Sequence, residues 1–471
     1  MHKTFLFYDI ETTGLNACFD QILQFAAIRT DEKLNELERH QFFIRLNSDV
    51  IPTPQALLTH QIPWKQIQAG EKELPTIKKI HELCNVPNTI SAGYNTLNFD
   101  DEFLRFSFYR NLLPPYTHQY AQNCGRMDIY LMTIMYYLFK PQTLSWPKIN
   151  NTLSLKLEHL NNFNHFASGT AHDAMVDVEM TLNLARRLYQ DVAMWQYLRG
   201  YFDKNTDLNR TNKLVAINQQ VLLIDSSLGT SNNYICPVLS LGQHYHYKNQ
   251  TLWLRLDTPF ITTTTKNNLT TTTYVMRKKF GESGFLLPAQ SDYLKLANPE
   301  RLELANNNLH WLQQNSAILK AISEYYCNYT YPKIPHLDVD AALYQLGFPS
   351  EHDQYLCAKF HTLNTEQKIN FLDEFKNKNL RTQALRILGR NYYDALPQEL
   401  QNEYLTYLKL IYTDQPTTIC DFRNHLRFTR KNADDAIAEL KPKTSNETQR
   451  QILEQLEKYL LQNPCNQPEG I

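Results

Sequence analysis

No C-x-x-C pair occurs anywhere in the 471 residues, and the eight cysteines, at positions 18, 84, 124, 236, 327, 357, 420 and 465, are scattered. That spacing argues against a disulfide framework and against a thiolate zinc site, and free thiols fit a reducing cytoplasm. Neither sign of charge prevails. The 47 Lys and Arg against 48 Asp and Glu leave a formal net charge of −1, so any surface for a polyanion must be a local patch. No apolar stretch is long enough to span a bilayer, and no membrane role is expected. The first apolar run is broken by Asp9, too early for a secretory signal. No internal repeat is present. What remains is the composition of an ordinary globular protein, 42% hydrophobic and 20% charged, with length for two to four domains.

Residues 1 to about 190 alternate strand-like and helix-like segments. Phe5 to Ile10 reads as a buried strand, with Gln24 to Arg29 and Gln41 to Leu46 as antiparallel neighbours and Thr89 to Tyr94 as a further strand. Helical spacing covers Lys72 to Cys84, about Asp100 to Tyr109, Met127 to Phe139, Ser154 to Leu160 and about Ala174 to Tyr189. This is an α/β pattern, a mixed sheet flanked by helices. From about 200 to 345 strand signals dominate, over Val221 to Ile224, Tyr234 to Leu239, Thr251 to Leu256 and Thr273 to Met276. The threonine run beginning at Thr262 reads equally as a solvated loop or a hairpin arm, and Arg301 to Glu324 reads as one helix. Helical periodicity returns from about 350, over Glu366 to Lys376, Thr382 to Leu388, Glu399 to Ile411, Ala433 to Leu440 and Glu447 to Leu461, and the tail from Asn463 is expected to fray.

The first strand ends in Asp9-Ile10-Glu11-Thr12-Thr13-Gly14. Side chains at i and i+2 of a strand share a face, so Asp9 and Glu11 project together while Ile10 turns into the core. Paired carboxylates repel unless a cation sits between them, which makes the pair a candidate for hard divalent ions; the plain alternative is a strand ending in solvated acids. A second acidic run, Phe99-Asp100-Asp101-Glu102, opens a helix. Neighbouring helical residues point about 100° apart, so only one of Asp100 and Asp101 can face the first pair; acids at a helix N-terminus also have a purely local rationale. A third cluster is Ala171-His172-Asp173-Ala174-Met175-Val176-Asp177. His172 falls on the loop before the last helix and Asp177 in its first turns, while Asp173, at i,i+4 from Asp177, is a rival that periodicity leaves open.

Taken together, Asp-x-Glu after a first strand, Asn95-x4-Asp100 and His172-x4-Asp177 before a last helix resemble, in order, the three motifs of the DEDDh 3′→5′ exonuclease superfamily. Further segments resemble the bacterial exonuclease I family within it: Gln24 to Asp31, Gly93-Tyr94-Asn95, Leu157 to Leu160, and Val339 to Tyr344 with Gly347-Phe348. The resemblance implies an RNase H-like exonuclease domain with a mixed sheet (1–192), an SH3-like β-rich domain (198–347) and a helical C-terminal domain (350–471). It implies Asp9, Glu11, Asp100 and Asp177 as ligands of two Mg²⁺ ions, for which Mn²⁺ substitutes, and His172 as general base, with Asp173 in a supporting role. Asp100 matches the second-motif aspartate and Asp101 does not. Lys156 stands where the family has an arginine near the substrate phosphate; lysine keeps the charge and loses the bidentate fork.

Glu11, Thr12 and Leu15 are implied contacts of the terminal nucleotide. The implied activity is 3′→5′ degradation of single-stranded DNA to 5′-mononucleotides in repair and recombination, by a cytoplasmic monomer that also binds the C-terminal tail of single-stranded DNA-binding protein, with Lys295 beside Tyr293-Leu294 as the candidate pocket residue. Two rivals are an RNA 3′-trimming enzyme of the same superfamily and a non-catalytic single-strand-binding scaffold. Single strands are held by basic grooves with aromatic platforms. Arg105, Tyr116 and Tyr120, with Tyr109, Arg110 and Arg126, are candidates in the first region. In the last, Arg386, Arg390, Asn391 and Tyr392 are candidates, as is a helical stripe of Arg423, Arg427 and Arg430; the alternative for each set is a solvated charged face over core aromatics.

Overall fold

The computed structural model describes residues 3–168, 173–215, 219–335, 337–413, 415, 417–444 and 446–462. His172 and the tail from Asn463 lie outside them. The first sheet orders its strands β3-β2-β1-β4-β5, with β1 at Thr4–Thr12, β2 at Ile22–Thr30, β3 at Glu36–Phe43, β4 at Thr89–Gly93 and β5 at Gly125–Asp128. β1 to β3 are antiparallel, and β1, β4 and β5 run parallel. The mixed sheet read from the sequence is therefore present. The apolar run Phe5-Leu6-Phe7-Tyr8 takes the central position because helices cover both faces there, and all nine residues of β2 are buried beside it. A small ribbon, β6 at Lys148–Ile149 and β7 at Thr152–Leu153, precedes the helix Leu157–Asn164.

A second, antiparallel sheet orders β11-β10-β9-β8-β12, with β8 at Val221–Ile224, β9 at Ile235–Gln243, β10 at Gln250–Arg255, β11 at Val275–Lys279 and β12 at Phe285–Pro288. β12 had no expectation in the sequence; four residues ending in proline give too short a periodic signal. The threonine run forms neither hairpin arm nor open loop: it makes a 3-10 turn at Ile261–Thr263 and a helical turn at Leu269–Thr272, closed by hydroxyl bonds to backbone carbonyls such as Thr272 Oγ1 to Asn268 at 2.9 Å. The single helix expected from Arg301 to Glu324 is two, Pro299–Gln314 and Ser316–Asn328, broken at Asn315. The C-terminal part is helical as expected, and it gains the helix Glu351–Thr362.

The parts share cores. Leu23, Leu57, Trp64 and Ile67 of the N-terminal part pack with Tyr404, Leu408, Leu453 and Leu456 of the C-terminal helices. Arg386 and Arg390, read as part of a groove or a solvated face, are in neither. Arg390, on the helix Lys378–Tyr392, donates to Asp49 at 2.7 Å and Asp340 at 2.5 Å, and Arg386 donates to Asp338 at 2.7 Å. Burial alone would raise the Asp49 carboxyl, but Arg390 and Arg427 hold it well below the usual range.

The stripe Arg423, Arg427, Arg430 is not helical. Asp421 accepts from the backbone N–H of Arg423 and His425, and Asn424 takes a left-handed φ of 65°, so the chain turns between the bridged Cys420 and Leu426. Arg427 is buried, donating to Tyr407 at 2.7 Å and to the Asp49 carbonyl. Removing one partner of such a buried pair leaves the other charge stranded. Arg390→Ala is accordingly expected to cost about 3–5 kcal/mol, read from the first urea-unfolding transition.

Candidate active site

The site grows from the C-terminal end of β1. In the β1–β2 register Asp9 lies opposite Ala26 and Glu11 opposite Gln24, and the register shifts after Glu11. Small Ala26 leaves room above Asp9, and the bulge ends the pairing as the chain swings out through Thr12 to Leu15. Gly14 is required there, because a Cβ would sit 2.5 Å from the Asp20 carboxylate. Asp20 holds the loop from beneath, accepting from Thr13 Oγ1 at 2.9 Å and the Asn16 N–H at 2.8 Å.

A second glycine, Gly93, lets β4 pass 2.7 Å from the Tyr8 carbonyl as measured from a Cβ built on it. The chain then makes the 3-10 turn Thr96–Asn98 and enters the helix Asp100–Arg110. Asp128 sets that turn: its carboxylate accepts from the N–H groups of Asn95 at 2.9 Å and Leu97 at 3.2 Å, while capping the next helix through Tyr130. Asp128 was not among the residues singled out from the sequence. An aspartate before the apolar helix Ile129–Phe139 was the available signal, and it reads only as an N-cap.

The last contribution comes from the helix Ala174–Tyr189. Asp173 is its N-cap, accepting from the Met175 N–H at 3.0 Å and from Gln24 Nε2 at 3.1 Å. Asp177, one turn on, comes together with Asp9 and Glu11: one carboxylate oxygen from each of the three lies within 4.8 Å of the others. Asp100 is buried nearby, with one carboxylate oxygen that has no hydrogen-bond partner. Burial first, then the mutual repulsion of these carboxylates, raises the Asp9 carboxyl far above its usual range and pushes Glu11 to about 9. Burial also takes Asp100 to about 8. Carboxylates crowded together at this density repel one another unless a cation sits between them. Convergent oxygen donors and a lone unsatisfied one suit a hard divalent cation.

Asp101 faces elsewhere. It pairs with Arg126 at 2.6 Å, His118 at 3.1 Å and Arg105 at 3.2 Å. Burial would raise it, and these partners overcome burial and hold it well below the usual range. The two neighbours therefore predict opposite phenotypes. Asp101→Asn is expected to lower stability by about 3 kcal/mol, because Arg126 and Arg105 lose a buried counter-charge. Asp100→Asn is expected to abolish catalysis with an unchanged or raised thermal midpoint. Parallel unfolding and hydrolysis assays check both.

The remaining predicted contacts differ in exposure and in partners. Leu15 is 85% exposed and lines a cavity of about 340 Å³ with Phe99, Phe103, Phe422, Arg423 and His425. Thr12 is buried and donates its hydroxyl to the Gly14 carbonyl at 2.7 Å, so its side chain serves the loop. Lys156 stands exposed before the helix Leu157–Asn164, 3.8 Å from Glu158. Arg105 turns its guanidinium into Asp101 and over the Tyr344 ring rather than into solvent. Tyr116 meets Phe348, with ring centroids 6.0 Å apart, and Tyr120 is exposed. Lys295 is exposed and pairs with Asp292 at 2.8 Å. Seven of the eight cysteines lie in the described residues and are free, and no helix among those residues is long and apolar enough to cross a membrane.

Two family models match the chain, one for an exonuclease over residues 6–185 and one for the exonuclease I C-terminal domain over residues 337–463. Exodeoxyribonuclease I of Escherichia coli K12 is 28% identical over 438 residues, which cover 88% of this chain and 90% of that protein. Exodeoxyribonuclease I of Buchnera aphidicola subsp. Schizaphis graminum is 26% identical, covering 86% of each. The crystal structure of E. coli exonuclease I in complex with a dA16 oligonucleotide superposes with a TM-score of 0.83 over 97% of this chain and 99% of that one, at 24% identity, and so bears on the fold. The expected fold class holds over its whole length: an RNase H-like exonuclease part with a mixed sheet, an SH3-like β-rich part and a helical C-terminal part. With both ends of the chain matched and relatives aligned along most of it, this chain is similar to bacterial exodeoxyribonuclease I over 88% of its length.

Proposed function

We propose that the chain is a hydrolytic exodeoxyribonuclease that removes nucleotides from the 3′ end of single-stranded DNA and releases 5′-mononucleotides. The observation that carries this reading is the convergence of Asp9, Glu11 and Asp177, from two elements 166 residues apart in sequence, at the end of the central strand. These three, with Asp100 beside them, would hold divalent cations, two of them and Mg²⁺ by preference. Such a pair of ions, when bound, supplies Lewis-acid stabilisation of the charge that develops on the attacking and leaving oxygens.

The protein's own groups do the rest. His172, five residues before Asp177 in the sequence, takes the proton of the attacking water as general base. Lys156 neutralises a substrate phosphate, and Leu15 and Phe99 give the terminal base an apolar wall. The β-rich part (198–347) and the helical part (350–471) enclose the strand that feeds the exonuclease part (1–192). The names of the relatives support DNA as substrate, and the proposed role is in DNA repair and recombination in the cytoplasm, as a monomer that docks on the C-terminal tail of single-stranded DNA-binding protein.

The test is a gel assay with Mg²⁺ on a 5′-labelled, 3′-tailed DNA, with RNA and blunt duplex alongside. A ladder that shortens from the 3′ end of the tailed DNA, is abolished by EDTA and is absent on RNA is the expected result. Cleavage of RNA alone would move the protein to the RNA-trimming branch, and binding without cleavage would make it a scaffold.

A further inference from the structure

The β-rich part carries a cluster of rings that the site above does not use. Arg277, on β11, the edge strand of the second sheet, is exposed, and its guanidinium lies 4.9 Å from the ring centroid of Tyr331 and 5.9 Å from that of Tyr329. The two rings are 5.7 Å apart, and Tyr247 stands 5.7 Å from Tyr331 on the other side. Tyr247 also accepts the Tyr331 N–H through its hydroxyl at 3.3 Å, which fixes the ladder to the β9–β10 connection. Tyr325 flanks it, 6.4 Å from Tyr329, and Tyr245 lies two residues before Tyr247 in the sequence. Exposure is 54% for Tyr331, 60% for Tyr245 and 41% for Tyr325. A core use of these rings would hide them. Nor is Arg277 there as an ion-pair partner: no carboxylate pairs with it among the described residues, and exposed Lys333 lies two residues beyond Tyr331.

We propose that Arg277, Tyr329 and Tyr331 form a stacking platform for bases of single-stranded DNA upstream of the 3′ end. The Arg277 guanidinium donates to the Tyr331 hydroxyl, and aromatic faces interleaved with a guanidinium that no carboxylate neutralises bind bases and phosphates of a flexible strand without reading sequence. The position suits that use. Glu282, five residues after Arg277, pairs with Arg126 at 3.1 Å, and Arg126 pairs with Asp101, the neighbour of Asp100. Five residues span at most about 17 Å, so the platform stands close to the contact between the β-rich and exonuclease parts. The segment that carries Tyr329 and Tyr331 runs on to Asp338 and Asp340, which the C-terminal arginines clamp, and then to Tyr344, whose ring meets Phe106 of the exonuclease part at 5.4 Å. The platform is thus held between all three parts of the chain. The proposal rests on the single-strand reading above and adds to it a second contact remote from the reacting bond.

The experiment is fluorescence anisotropy of the full chain in EDTA with dT6 and dT20, for wild type, Arg277→Ala, Tyr331→Ala and Tyr331→Phe. Turnover of the p-nitrophenyl ester of thymidine 5′-monophosphate with Mg²⁺ is measured beside it. Tyr331→Ala is expected to weaken dT20 about tenfold while dT6 and ester turnover stay at wild-type values, and Tyr331→Phe is expected to restore dT20 binding. Arg277→Ala is expected to lower the salt slope of dT20 binding by about 0.7. Equal dT20 affinity in wild type and the alanine variants would overturn the platform, as would an equal loss on dT6 and dT20. Absence of ester turnover and of DNA hydrolysis in wild type would sink the enzymatic reading alone, because the length dependence in EDTA still decides the platform.

Discussion

Asparagine in place of Asp9 is expected to lower strand hydrolysis about 10³-fold and, in the same protein, to raise the thermal midpoint of the metal-free chain. The loss corresponds to about 4 kcal/mol of transition-state stabilisation, the scale of removing one preorganised electrostatic partner. The gain in stability comes from the ground state. Asp9 is desolvated and repelled by Asp100, Asp177, Glu11 and Asp173, so a neutral isostere relieves strain that the folded chain otherwise carries. Asparagine keeps the shape, and Ala26 opposite it in β2 makes no demand on its charge. Opposite signs for activity and stability separate this outcome from simple misfolding. Single-strand binding in EDTA should persist. Retained hydrolysis, or lost hydrolysis with a lowered midpoint, would remove Asp9 from the catalytic centre.

Metal-free protein should lose stability as pH rises from 7 to 9, by about 3 kcal/mol, and divalent cation should abolish the loss. Glu11 near 9 and Asp100 near 8 bind protons far more tightly than in the unfolded chain, where they titrate from 4.5 and 3.8. The folded state then holds more protons than the unfolded state between those limits, and stability falls as pH climbs. At most, each group contributes about 1.4 kcal/mol per pH unit.

Below pH 7 two histidines act in the other direction. Burial lowers His81 and His361 to about 4, so the unfolded chain binds the extra protons there and stability rises with pH until about 6.5. Desolvation raises several cysteines, which add a descent above about pH 8.5 with or without metal. The informative quantity is therefore the difference in midpoint with Mg²⁺ and with EDTA, by scanning calorimetry at pH 7, 8 and 9. It should widen with pH. A difference that is constant across this range would contradict a cation shared by these carboxylates.

Local offsets made part of this molecule legible in the sequence. The apolar run from Phe5 followed by Asp9 and Glu11 dictates a central strand with two carboxylates on one face, because strand side chains alternate. The caps and periodicity of Ala174 to Tyr189 place Asp177 in a first turn. The motif order then carried the family resemblance, and with it the fold class. Where the offsets left a choice, distant partners resolve the structure. Asp101 turns away from Asp100's side because Arg126, His118 and Arg105 enclose it, and Asp173 spends its carboxylate on a helix cap and on Gln24.

The basic residues of the C-terminal part show the limit most sharply. Arg386, Arg390 and Arg427 have the spacing and company of a solvated or strand-binding surface, yet all three are buried against aspartates or backbone of other segments, Arg390 with Asp49 across 341 residues of sequence. Periodicity fixes which side of its own element a side chain leaves from. Whether it meets solvent, a counter-charge or a neighbouring carboxylate depends on which surfaces pack together, and hydrophobic cores shared across the three parts, such as that of Leu23 and Trp64 with Tyr404 and Leu456, decided that only in the assembled tertiary structure.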